Sequence, residues 1–200
     1  MFKQVIVIHG GDSYNTYKEY LSNLKKINLN FEKMFRKGWK DSLGKSLGKN
    51  YQVILPTMPN KSNARFVEWK IWFEKLIPFL NKEVILIGHS LGASFLLRYL
   101  SENKFPKKIK ATFLVSAPFQ QKGMKTKLGD DFRFGKDMSL LIKQSPRLVF
   151  YQSKDDKVVS YTDFKKFQDL FPGACFVEFQ DRGHFNQENF PEIIKDIKNI

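Results

Sequence analysis

Short apolar runs at residues 4–8, 52–55, 83–87, 111–116, 147–151 and 175–179 recur along the chain, with amphipathic stretches between them. Each run is rich in branched or aromatic side chains and too short for a buried helix, which is how strands covered on both faces read. The intervening patterns predict helices over 14–26, 64–80, 91–102, 161–170 and 190–197. In the second of these, Phe66, Trp69, Trp72, Phe73, Leu76 and Leu80 return at three- and four-residue steps, the stripe of a helix laid on a sheet. Those aromatics read as core rather than as a ligand box. Pro56, Pro59 and Asn60 break the chain ahead of that helix, and Pro172-Gly173 closes the next-to-last one. Strands and helices alternating in this way build a three-layer α/β architecture around a mainly parallel sheet, here of about six strands. With 200 residues and 42% apolar content, the chain has enough material for one such domain over residues 1–200.

Two stretches break the pattern. Residues 28–50 carry Phe31, Met34, Phe35 and Trp39 but also Gly38, Gly44 and Gly48, and predict a broken helix with loops inserted before the second strand. Residues 118–146 contain Gly123, Gly129, Asp130, Asp131 and Gly135, and predict a loop with a short helix near 138–143. Both are candidates to border a substrate pocket, although for the first a plain surface connection is at least as good a reading.

A formal charge of +14 raises the question of a polyanion partner. The lysines are dispersed, with small clusters at Lys25-Lys26, Lys107-Lys108-Ile109-Lys110 and Lys165-Lys166 but no long run or arginine-rich arm. The expectation is a solvated surface that attracts anions weakly, with no specific nucleic-acid site. The longest apolar stretches, 83–88 and 111–117, fall far short of the ~20 residues of a membrane span. The apolar run at 5–8 is too short for a signal-peptide core. The lone Cys175 has no partner for an internal disulfide, and the three histidines give no zinc-site spacing. A cytoplasmic protein without metal or cofactor is expected.

The sharpest local signal is Val84-Ile85-Leu86-Ile87, then Gly88-His89-Ser90-Leu91-Gly92, then an apolar helical run. Strand, G-x-S-x-G and helix in succession hold the serine on a strained turn with its hydroxyl above the sheet edge, while the glycines relieve crowding. The following helix starts beneath the serine, so the free N–H of Leu91 faces the place where negative charge would develop. A serine hydroxyl is a weak nucleophile until a base activates it. Of the three histidines, His89 adjoins Ser90 on the tight turn and should project away from the hydroxyl, and His9 ends the first strand. His184, after the last strand, lies at the C-terminal edge where parallel sheets bind ligands and is the expected base. The segment after the fifth strand offers Asp155 and Asp156 to orient it. At the end of the first strand, His9-Gly10-Gly11-Asp12 lets backbone N–H groups turn toward the reaction centre, so Gly11 and Leu91 form the expected oxyanion hole.

Taken together, His9-Gly10-Gly11, Gly88 to Gly92, Ser153-Lys154-Asp155-Asp156 and Gly183-His184-Phe185 resemble the small serine hydrolases of the α/β-hydrolase superfamily, in particular the compact group of retinoblastoma-binding protein nine. The resemblance implies an α/β-hydrolase fold with minimal or no lid, and a triad of Ser90, Asp156 and His184. Ser153 matches the small position of the acid loop and so favours Asp156, with Asp155 as the fallback. It also implies hydrolysis of a small-molecule ester or amide without a cofactor, and it supplies neither a substrate nor an oligomeric state. The chain departs from that group in its 28–50 insert and in Ser160, where a proline often follows the acid loop. Carboxylesterase, peptidase and acyltransferase activities share this machinery, and Phe119, Met124 and Phe185 are candidates for an apolar acyl pocket. The contrasting reading is a catalytically weak hydrolase-fold protein that binds a partner or polyanion through its basic surface. A dehalogenase would want an aspartate where Ser90 stands.

Overall fold

The computed structural model describes residues 2–123 and 129–200, with the side chains of residues 33 and 34 outside the description. Each apolar run becomes a strand: β1 Lys3–Ile8, β2 Tyr51–Ile54, β3 Glu83–His89, β4 Lys108–Val115, β5 Leu148–Ser153 and β6 Cys175–Phe179. They form one sheet in the order β2-β1-β3-β4-β5-β6, and every pairing is parallel. Parallel neighbours need crossovers, which the helices supply: α1 Tyr17–Lys26, α2 Trp39–Leu47, α3 Phe66–Leu76, α4 Leu91–Glu102, α5 Ser139–Gln144, α6 Tyr161–Leu170 and α7 Pro191–Lys198. Alternate residues of each strand enter opposite cores. Ile6, Ile8, Val84 and Leu86 meet Trp69, Phe73, Phe95 and Phe167 of α3, α4 and α6 on one face. Val5, Val7, Ile85 and Ile87 belong with Leu43, Leu47, Ile193 and Ile197 of α2 and α7 on the other.

Three expectations are corrected. The helix over 64–80 ends at Leu76 and passes into a single 3₁₀ turn, Ile77–Phe79, because Pro78 cannot continue an α-helical ladder. Within it Trp72 is 44% exposed while Phe66, Trp69 and Phe73 are buried, so the stripe is narrower than the run of aromatics implied. The second half of 28–50 is not a surface connection. Trp39, Leu43 and Leu47 recur every fourth residue and are buried in the second core, and Gly44 faces Val53 of β2.

The stretch ahead of that region behaves differently. Helix α1 is closed by a Thr16–Glu19 capping box, yet none of its residues is buried. The segment leading into it crosses the C-terminal edge of the sheet. There the Ser13 carbonyl accepts from Gly129 N–H (2.8 Å), and Asn15 Oδ1 accepts from Asp130 N–H (2.8 Å).

The chain runs from β1 outward to β2, then returns past β1 to β3 and continues in one direction to β6. Loops leaving β1 and β3 therefore diverge, and a crevice opens at this switch point. Gly10 and Gly11 follow one of these strands and Ser90 follows the other.

Candidate active site

Ser90 joins β3 to α4 at φ 55° and ψ −122°, a backbone conformation that side-chain-bearing residues rarely adopt. Its N–H donates to the Val115 carbonyl of β4 (2.8 Å), and its own carbonyl accepts from Ala93 N–H (2.9 Å), so the turn is held from both sides. The flanking glycines have no room for a side chain. A Cβ on Gly88 would stand 2.6 Å from Ala93 Cα, and one on Gly92 would stand 2.2 Å from the Ile8 carbonyl oxygen. The serine lines a cleft of about 650 Å³ together with Gly10, Gly11, His89 and His184.

His184 enters from the loop after β6. Its Nδ1 donates to Asp156 Oδ2 at 2.9 Å, which selects the neutral-ring tautomer whose Nε2 carries a free lone pair. Asp156 is buried and richly solvated by the protein. Oδ1 accepts the N–H groups of Val158 (2.8 Å) and Val159 (3.0 Å), while Oδ2 also accepts the Ser116 hydroxyl (2.7 Å) and Gln152 Nε2 (3.3 Å). Burial alone would push this carboxyl up. The hydrogen bonds from His184, Val159 and Ser116 outweigh it and hold the group at about 2. Asp155 points elsewhere: its Oδ1 accepts the Ser153 hydroxyl (2.5 Å) and Gly183 N–H (2.8 Å), tying the acid loop to the histidine loop. Among the described residues no hydrogen bond joins Ser90 Oγ to His184, although both line the one cleft. Such contacts are often long in substrate-free enzymes and tighten when substrate is bound.

On the opposite wall, His9 Nδ1–H donates to the Gly10 carbonyl (2.7 Å), and its Nε2 accepts Met58 N–H (2.9 Å). Burial lowers the pKa of this ring and favours the neutral form that both bonds require. Because a peptide is planar, holding the Gly10 carbonyl toward the ring turns the Gly11 N–H away from it. Across the crevice, the N–H of Leu91 is the first of α4 and has no carbonyl a turn below it.

Several contributors carry no sequence signal of their own. Ser116, at φ 46° after β4, reaches Asp156 only because the sheet places β4 beside β5. His89 Nε2–H donates to the His184 carbonyl (2.9 Å), and its Nδ1 accepts from the Lys40 ammonium (3.3 Å). Trp39 Nε1 donates to the Phe185 carbonyl (2.9 Å), so α2 steadies the histidine loop. Of the candidate pocket residues, Phe119 lines the cleft and Met124 lies outside the described residues. Phe185 is instead fully buried in the second core, packed on Phe179 and Phe190. Ser160, which stands where a proline often follows the acid loop in the resembled group, caps α6 by accepting from Thr162 N–H (3.2 Å). Among the described residues no three His, Cys, Asp or Glu side chains converge as a metal site, and no helix is long and apolar enough to cross a membrane.

A parallel sheet covered on both faces, with a serine on a strained strand–helix turn at its switch point, defines an α/β-hydrolase. The chain belongs to the serine hydrolase family, whose model matches residues 31–194. It is 26% identical over 189 residues to YdeN of Bacillus subtilis (strain 168), a protein named as a hydrolase, covering 94% of this chain and 88% of that one. It is also 26% identical over 166 residues to the serine hydrolase RBBP9 of Rattus norvegicus, covering 82% and 86%. The crystal structure of the B. subtilis ydeN gene product matches with a TM-score of 0.70 at 22% identity, over 98% of this chain and 97% of that one.

Proposed function

We propose that this hydrolase is carboxylesterase-like and cleaves a small-molecule ester, or a small amide, through an acyl-enzyme on Ser90. The observation that carries the reading is the 2.9 Å bond from His184 Nδ1 to a buried carboxylate, beside the cleft that Ser90 lines. In this scheme Ser90 Oγ attacks the carbonyl carbon as its proton passes to His184 Nε2. Asp156 keeps the other nitrogen protonated and stabilises the imidazolium. The carbonyl electrons move onto oxygen, where the N–H groups of Gly11 and Leu91 receive the charge. Collapse expels the alcohol with the proton from His184, and water repeats the sequence on the acyl-enzyme to release the acid and restore Ser90. All the groups in the scheme belong to the chain, and no cofactor enters it.

The test is labelling by a fluorophosphonate probe, with the adduct located by peptide mass spectrometry. Modification of Ser90 that vanishes in Ser90→Ala and drops sharply in His184→Ala supports the reading. A folded protein that takes no label overturns it and turns attention to partner or polyanion binding by the basic surface.

A further inference from the structure

Helix α2 contributes one side chain to the cleft that the chemistry above does not use. Lys40 is partly buried on the cleft wall, with its Nζ 3.3 Å from His89 Nδ1 and 5.1 Å from the centre of the Trp39 ring. No carboxylate pairs with it among the described residues. Its neighbour on the helix, Asp41, is engaged by the Gly38 N–H at 2.8 Å. The acids on the cleft wall are Asp12 and Asp163. Asp163 is taken up by Lys166 (3.0 Å) and by Phe119 N–H (3.1 Å), and Asp12 lies toward His184. Three lysines line the wall: Lys166 is paired with Asp163, while Lys61, like Lys40, has no ion pair among the described residues. An ammonium withdrawn from water without a counter-ion is unfavourable, and burial draws the pKa of Lys40 down to about 8, so it still carries its charge at neutral pH. A ligand anion would relieve that cost.

We propose that Lys40 is the anion-recognising residue of this cleft, and that the ester cleaved at Ser90 bears a free carboxylate. This rests on the esterase reading above. The unpaired charged groups of the wall, Lys40 and Lys61 against Asp12, leave one net positive charge, which matches a carboxylate better than a phosphomonoester carrying nearly two negative charges.

The probes are mono-4-nitrophenyl glutarate and its uncharged counterpart 4-nitrophenyl pentanoate, whose acyl chains are equal in length. Binding of each to the Ser90→Ala protein is measured by calorimetry, and turnover of each is measured with the unmodified protein. The glutarate monoester is expected to bind at least about tenfold more tightly, equivalent to about 1.4 kcal/mol. Adding Lys40→Met or Lys40→Gln should erase the difference, while Lys40→Arg should keep most of it. Equal binding of the two esters, or a preference that survives loss of Lys40, overturns the proposal. So does an equal loss of both esters in Lys40→Met, because Lys40 would then serve only to fix the His89 tautomer. Failure of the esterase reading looks different: neither ester is turned over and Ser90 takes no fluorophosphonate label, whatever the binding preference.

Discussion

Replacing Asp156 with asparagine probes the site with almost no change in shape. The two oxygens of the carboxylate are not equivalent here. Oδ1 accepts two backbone N–H groups, from Val158 and Val159, which an amide NH₂ cannot do. The amide oxygen of the substituted side chain must therefore take the Oδ1 position, which leaves the NH₂ facing His184 Nδ1 and the Ser116 hydroxyl. A donor in that place makes Nδ1 an acceptor and moves the ring proton to Nε2, on the side needed as base. Reversing the tautomer in this way lowers kcat by about 10⁴-fold in a Ser-His-Asp triad, and the same order is expected here. That corresponds to about 5.4 kcal/mol of barrier. The assay is kcat/KM on a 4-nitrophenyl ester beside the rate of fluorophosphonate labelling, with circular dichroism to verify folding. A folded Asp156→Asn protein that loses less than about tenfold, while Asp155→Asn loses more, would refute the assignment and move the role of the acid to Asp155.

Three further outcomes are expected. Asp156 is held at about 2 against an ordinary value of 3.8, so its contribution to stability is whole above that ordinary value and is lost as pH falls toward 2. Thermal melts across this range should show a component of acid destabilisation that Asp156→Asn lacks. Gly92→Ala would place a methyl group 2.2 Å from the Ile8 carbonyl oxygen, forcing α4 off β1. A cost of about 3 kcal/mol and a fall in Tm of roughly 6–12 °C are expected, and an unchanged Tm would contradict the close approach. Trp69→Ala should cost about 3–5 kcal/mol in denaturant unfolding, whereas Trp72→Ala, whose ring is only partly covered, should cost about 1–2 kcal/mol. Equal costs would place both rings in the core, against the exposure of Trp72.

Much of this protein was legible from order along the chain, because the physics involved is local. A run such as Val84 to Ile87 is apolar throughout because it is covered on both faces, and β6 and α4 fall where period and breakers put them. The Gly88 to Gly92 pentapeptide is equally local: the strain at Ser90 and the close approach at Gly92 follow from turning a strand into a helix within a few residues. The errors also have local causes. Glycines at 38, 44 and 48 masked a regular helix, since Gly38 and Gly48 are its caps and Gly44 marks its contact with β2.

What tertiary structure alone decided is which distant groups meet. Asp155 and Asp156 are adjacent in the chain and alike in charge. They differ in their partners because the acid loop turns Asp156 toward Ser116 and His184 and Asp155 toward Gly183. Ser116 joins the site through the pairing of β4 with β5, and Lys40 joins it because the first turn of α2 meets His89 at the end of β3 and the histidine loop. Local sequence specifies elements through backbone sterics and periodicity. The packing of those elements around the switch point brings charges within a few ångströms of one another, and no spacing along the chain encodes that.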